Sequence, residues 1–137
     1  MDVDAVPIEG HLEVVALHRF LFECKLEDIS SVYAGSPFIA AIQHRLADAL
    51  ELADPGTGWN DWRKAEQHGH RVEAVRQYLA AAGPWWMQLG LEQRGAYVRD
   101  ILAPLRVSTE LLADLTAVGG EPLPTSSDRT ANAADFE

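Results

Sequence analysis

One cysteine stands in 137 residues, so the chain can form no disulfide within itself and suits a reducing compartment. Cys24 lies in a helical apolar run and reads as a small core residue. No apolar run approaches the roughly 20 residues that a membrane-spanning helix needs. The start, Met1-Asp2-Val3-Asp4, is acidic where a secretory signal is basic, so a cytoplasmic setting is expected. Strand signals are scarce: β-branched residues are scattered and no segment alternates for long. No internal repeat of useful length is present, which argues against solenoids and propellers.

Basic residues are also few. Eleven Lys and Arg face twenty-one Asp and Glu, a net charge of -10 that disfavours a grip on nucleic acid or on an anionic membrane. Gly56-Thr57-Gly58 precedes a helix, but neither a Rossmann nor a Walker pattern completes it, so it reads as a turn. The Glu-x-x-His of carboxylate-bridged di-iron bundles and the His-Glu-x-x-His of zinc proteases are both missing. Two short helices joined at Ala103-Pro104 have the outline of a helix-turn-helix, yet Glu110 and Asp114 would turn negative charge towards phosphate.

What is present is helical. The 47% hydrophobic and 23% charged fractions are those of an ordinary globular chain, and the length suits one domain with a core. Apolar spacing and punctuation predict an all-α bundle of four to five helices. The first runs over about 7–31 and is apolar round most of its circumference, apart from a strip holding Glu9, Glu13, Glu23 and Glu27. It is therefore expected to be the central helix, touched on more than one side. The second opens with Ser36 as N-cap and Pro37 in the first turn, and stops before Asp54-Pro55-Gly56. A third reaches Ala82 before Gly83-Pro84, with a stripe of Ala65, His68, Val72, Val75, Leu79 and Ala82. The fourth covers about 91–103, and a short fifth is capped by Ser108 or Thr109. Residues 1–120 form the expected domain, and 121–137 read as a flexible polar tail.

Phase on the helices sorts the polar residues. His44 and His70 lie opposite the apolar faces of their helices and read as surface groups. His11, His18 and Lys25, seven apart, fall within the apolar arc of the first helix. His68 falls in the stripe of the third, with Asp61 one heptad before it. If those two helices run parallel, His18 faces His68 and His11 meets the level of Asp61, a candidate buried polar seam. Its ordinary reading is a set of core side chains hydrogen-bonded where they lie. The chemical readings are a transition-metal site, zinc or iron, on His18, His68, His11 and Asp61, a haem held between His18 and His68, or a general base formed by His11 and Asp61. Residues seven apart sit roughly 10.5 Å apart along a helix, so His11 and His18 strain to reach one ion.

Four tryptophans form two pairs, Trp59 with Trp62 and Trp85 with Trp86, held roughly 34 Å apart by a straight third helix. Trp85-Trp86-Met87, bounded by Gly83-Pro84 and Gly90, makes a candidate docking loop, because Trp anchors interfaces and Met adapts to varied surfaces. With no complete catalytic constellation, the leading expectation is a non-enzymatic interaction or scaffold module without a cofactor. Its partner is a protein, basic or a second copy of the chain, with no nucleic acid or membrane. The alternative is a metal- or cofactor-binding bundle, an enzyme among its readings, built on the core-facing histidines.

Overall fold

A computed structural model describes residues 5–56 and 58–120, and the expected tail over 121–137 lies outside them. The described chain is all-α, with seven helices and one 3-10 turn in place of the expected four or five helices. Among the described residues no strand occurs, and no helix is long and apolar enough to cross a membrane.

The first helix, α1 (His11–Lys25), is shorter than its apolar pattern suggests. Beyond Lys25 the chain breaks into turns, where the Asp28 carboxylate accepts from both the N–H and the hydroxyl of Ser30, at 3.2 and 2.6 Å. Such local side-chain bonds compete with the helical ladder. The second helix, α2 (Pro37–Ala53), begins as expected: Ser36 Oγ accepts from the Ile39 N–H at 3.3 Å, and Pro37 occupies the first turn.

The expected third helix divides. A single turn, α3 (Trp59–Trp62), precedes an extended step at Lys64, the 3-10 turn Ala65–Gln67, and α4 (Gly69–Ala80). The step is held by a parallel bridge between Lys64 and Arg106, in which the Ala65 N–H donates to the Arg106 carbonyl at 3.0 Å. Pairing with a remote segment thus takes the Ala65 N–H and the Arg63 carbonyl out of the helical ladder. A short α5 (Pro84–Met87) follows, then α6 (Leu91–Leu102) and α7 (Thr109–Thr116), the last capped by Ser108 Oγ at 3.1 Å from the Leu111 N–H.

The core corrects the expectation that the first helix is central. Its buried apolar residues include Val72, Val75 and Leu79 of α4, Val98 and Ile101 of α6, Leu115 of α7 and Trp86 of α5. Within α1 only His18 and Lys25 are fully buried, whereas Leu12 and Phe20 are 83% and 62% exposed. The apolar residues of α1 outnumber the neighbours available to cover them, and α2 is its main partner.

Three buried cations tie these layers together. Lys25 Nζ donates to Gln43 Oε1 of α2 at 2.6 Å and to the carbonyls of Asp100 and Ala103, at 2.6 and 3.3 Å, at the end of α6. Arg63 reaches the Pro104 carbonyl at 3.0 Å, and on α2 it reaches Asp48 and Glu51 at 2.6 and 2.9 Å. Arg94 donates to the Thr116 and Gly120 carbonyls at 2.8 and 2.6 Å, with its guanidinium 4.7 Å from the centre of the Trp86 ring. Lys25 and Arg94 thereby satisfy carbonyls that the ends of α6 and α7 would otherwise leave bare, and Arg63 binds one in the turn that follows α6.

Candidate functional site

Helix α1 separates two depressions. On one flank His11, His18 and Phe22 follow a helical spacing, and the α2–α3 connection brings Trp59 and Trp62 opposite them. Together with Arg71 of α4 they enclose an open cleft of about 590 Å³. Its wall is a mutually packed ring cluster: His18 lies 5.0 Å from Trp62 and 5.5 Å from Trp59, and Phe22 lies 4.8 Å from Trp62. The Arg71 guanidinium sits 3.4 Å over the Phe22 ring and donates to the Phe22 carbonyl at 2.7 Å.

His18 is 2% exposed, and its Nδ1 has no hydrogen-bond partner. Burial, and then the charges of Arg19 and Arg63, hold its pKa below the ordinary 6.5, so the ring is neutral at pH 7. Two more guanidinium-bearing residues frame the cleft in different ways. Arg71 faces Glu23, whose charge opposes the lowering of the Arg71 pKa by burial. Arg19 is exposed and makes no ion pair among the described residues.

The anticipated seam forms only in part. His18 and His68 do join one aromatic cluster, but as neighbours of the same rings: Trp62 packs 5.0 Å from each, and Phe22 contacts both. His68 Nε2 donates to the Trp62 carbonyl at 2.6 Å, which occupies that nitrogen. His11 lies at the exposed rim of the cleft. Asp61 turns to Lys64 at 3.0 Å on the surface, so the dyad with His11 is not built. The break between α3 and α4 removes the continuous helix on which that register depended. Among the described residues, no three His, Cys, Asp or Glu side chains are grouped to hold a metal ion, so the proposed set of His11, His18, Asp61 and His68 does not converge.

The Trp85-Trp86-Met87 segment is a helical turn with one residue inside and two outside. Trp86 is fully buried and donates from Nε1 to the Val118 carbonyl at 2.7 Å, which withdraws it from any docking surface. Trp85 and Met87 are 39% and 43% exposed, and Trp85 packs edge-on to Tyr97 at 5.2 Å. Of the two histidines expected at the surface, His70 is exposed, whereas His44 is half-buried with its Nδ1 3.1 Å from Arg63. Burial and the Arg63 charge lower the His44 pKa, so Nδ1 accepts from the guanidinium.

The other flank of α1 carries a largely apolar groove of about 240 Å³, lined by Phe20, Leu21, Cys24 and the buried Lys25 of α1, Ser31 and Tyr33 of the connecting turns and Ile39 of α2. Ile42, one turn on from both Phe38 and Ile39, continues this side of α2. Exposure is large for an apolar surface: 62% for Phe20, 69% for Tyr33 and 80% for Phe38. Cys24 is an exposed free thiol here, where the sequence suggested a core residue.

No family of known proteins, no curated protein and no solved structure matches the chain. Function therefore has to be argued from these surfaces. The buried Arg63 and Arg94 and the half-buried Arg71 escaped the sequence reading, although Arg94 shares the phase of Val98 and Ile101 on α6, the signal that did single out Lys25 on α1.

Proposed function

We propose that this chain is a non-enzymatic protein-interaction module that docks a basic, amphipathic segment of a protein partner on the α1–α2 face. The observation that carries the reading is the exposure of Phe20 and Tyr33, which line the groove, together with that of Phe38, the sequence neighbour of its lining residue Ile39. Contiguous exposed aromatic and aliphatic side chains of this kind mark interaction surfaces, and aromatic anchors beside a groove supply most of the energy in such interfaces.

Charge favours a basic partner over a second copy of the chain. The formal net charge is -10. Several of the cations that offset it are turned inward, since Lys25, Arg63 and Arg94 are all buried. Glu13, Glu27 and Asp28 lie exposed along α1 and the turn after it. The outward field at this face is therefore negative, which speeds encounter with a cationic partner and opposes self-association. Trp85 and Met87, the exposed members of the aromatic corner at α5, offer a smaller second contact. A reducing cytoplasm suits the exposed Cys24, which has no cysteine partner in the chain.

The test is a fluorescence-anisotropy titration with a labelled amphipathic helical peptide of leucine and lysine. Binding that weakens at least about tenfold in a Phe20→Ser, Phe38→Ser variant, and weakens with added salt, is expected. Binding that is absent, or indifferent to both changes, contradicts the proposal. Both phenylalanines are largely exposed, so the variant keeps its core.

A further inference from the structure

The cleft on the opposite flank of α1 is lined and charged differently from the docking face, and it calls for a different occupant. We propose that it binds a small planar aromatic carboxylate, with the ring packed against Trp59 and Trp62 and the carboxylate held by Arg19. The inference is independent of the docking proposal, since the two depressions share no lining residue.

Three observations carry it. The first is size and wall chemistry. About 590 Å³ falls within the range of small-molecule sites, and the walls are rings with a few polar groups among them. Trp59 is only half-buried, so its indole offers surface for an incoming ring, whereas Trp62 is already packed among His18, Phe22 and His68.

The second is the charge balance at the lining. Of the two acids there, Glu23 stands against Arg71 and Asp54 already has a partner. Arg71 is committed to the Phe22 ring and carbonyl. Arg19 remains as a cation with no ion pair among the described residues, and a guanidinium is suited to two-point recognition of a carboxylate. A cationic ligand would meet this guanidinium, while Asp54 is already partnered and the charge of Glu23 is drawn to Arg71.

The third is His18. Its ring lines the cleft, is 2% exposed and has an Nδ1 without a partner, a cost that folded proteins rarely leave standing. As a neutral imidazole with Nδ1 unpaired it puts an unsatisfied polar edge in the wall, one that a heteroaromatic ligand could reach on a small shift of the ring, and it adds no second charge.

The test uses indole-3-acetate, indole and tryptamine as probes, one ring with an anionic, a neutral and a cationic arm. The full chain labelled with ¹⁵N is titrated while the Nε1–H resonances of the four tryptophans are followed, each assigned by its Trp→Phe variant. Indole-3-acetate is expected to shift Trp59 and Trp62 saturably while leaving Trp85 and Trp86 in place. Indole should bind about tenfold or more weakly and tryptamine weaker still, because a charge-assisted bond is worth roughly 1.5–3 kcal/mol. Arg19→Gln, an exposed substitution that leaves the core intact, should reduce indole-3-acetate to the affinity of indole without changing indole itself. The proposal is overturned if no probe moves Trp59 and Trp62 at concentrations up to about 5 mM. It is equally overturned if tryptamine binds as well as indole-3-acetate, or if Arg19→Gln binds the acid unchanged.

Discussion

Replacing Lys25 with methionine separates two opposed consequences of burying an amine. Methionine fills similar space but cannot donate to Gln43 Oε1 and to the Asp100 and Ala103 carbonyls, which receive Nζ at 2.6, 2.6 and 3.3 Å. With a buried polar group costing roughly 1–3 kcal/mol when left bare, the variant should lose about 2–4 kcal/mol near neutral pH. Against that loss stands desolvation. Burial lowers the Lys25 pKa from 10.5 to about 7, the Asp100 carboxylate pulling it upward and Arg71 pulling it further down. Between those two values the unfolded chain holds a proton that the folded chain has released. Stability of the wild type therefore rises with pH across that window, by up to about 1.4 kcal/mol per pH unit. Below it both states are protonated, and the full cost of burying the charge is present. Methionine has no proton to lose, so the difference between wild type and variant should widen by roughly 2–3 kcal/mol from about pH 7 to about pH 9. Urea unfolding of both proteins across that range measures it, and the comparison cancels groups common to the two. A difference that stays flat refutes the claim that Lys25 releases its proton inside the fold, and one that narrows reverses its sign.

Three other perturbations address the packing that supports the two flanks. Trp86→Ala should cost about 3–5 kcal/mol, as befits a fully buried indole bonded to the Val118 carbonyl, and Trp85→Ala should cost much less; urea unfolding showing the reverse order contradicts the assignment of inside and outside at α5. Gly35→Ala puts a Cβ 2.6 Å from Tyr97 Cε2, so a loss of about 1–3 kcal/mol is expected, and a neutral result in thermal melts means that Tyr97 yields freely. Because the His18 pKa lies below 6.5 in the fold, acidification protonates the unfolded chain first and stability falls as pH drops below that value. An NMR titration of the His18 ring should give a midpoint below 6.5, and a midpoint above it contradicts the buried, neutral ring.

Local punctuation made much of this fold legible in the sequence. Ser36-Pro37 and Ser108 start α2 and α7 where their side chains cap the backbone, and α6 ends before Pro104. Phase on α1 identified His18 and Lys25 as inward-facing polar groups. It failed for His11, which lies in the first turn, where the cleft opens. The division of the third segment was hidden because its cause is tertiary: Lys64 and Arg106, far apart in the chain, form the bridge that extends the backbone at Lys64. The centrality of α1 was misjudged for a related reason. Apolar residues around a helix announce that partners are needed, and they do not say whether those partners belong to the same chain. The candidate cleft was half visible, through His18 and the Trp59-Trp62 pair. Phe22 stands one helical turn after His18, but Arg19 and Arg71 gave no pattern that sequence spacing alone could join to them.

The most direct test of the docking face is to map, by amide chemical-shift changes, where a leucine- and lysine-rich amphipathic helical peptide binds on ¹⁵N-labelled protein. The account predicts changes concentrated at Phe20, Leu21, Tyr33 and Phe38 through Ile42, fading as salt is raised. Changes centred on Trp85 and Met87 with the α1–α2 face undisturbed, or no localised change at all, would contradict it.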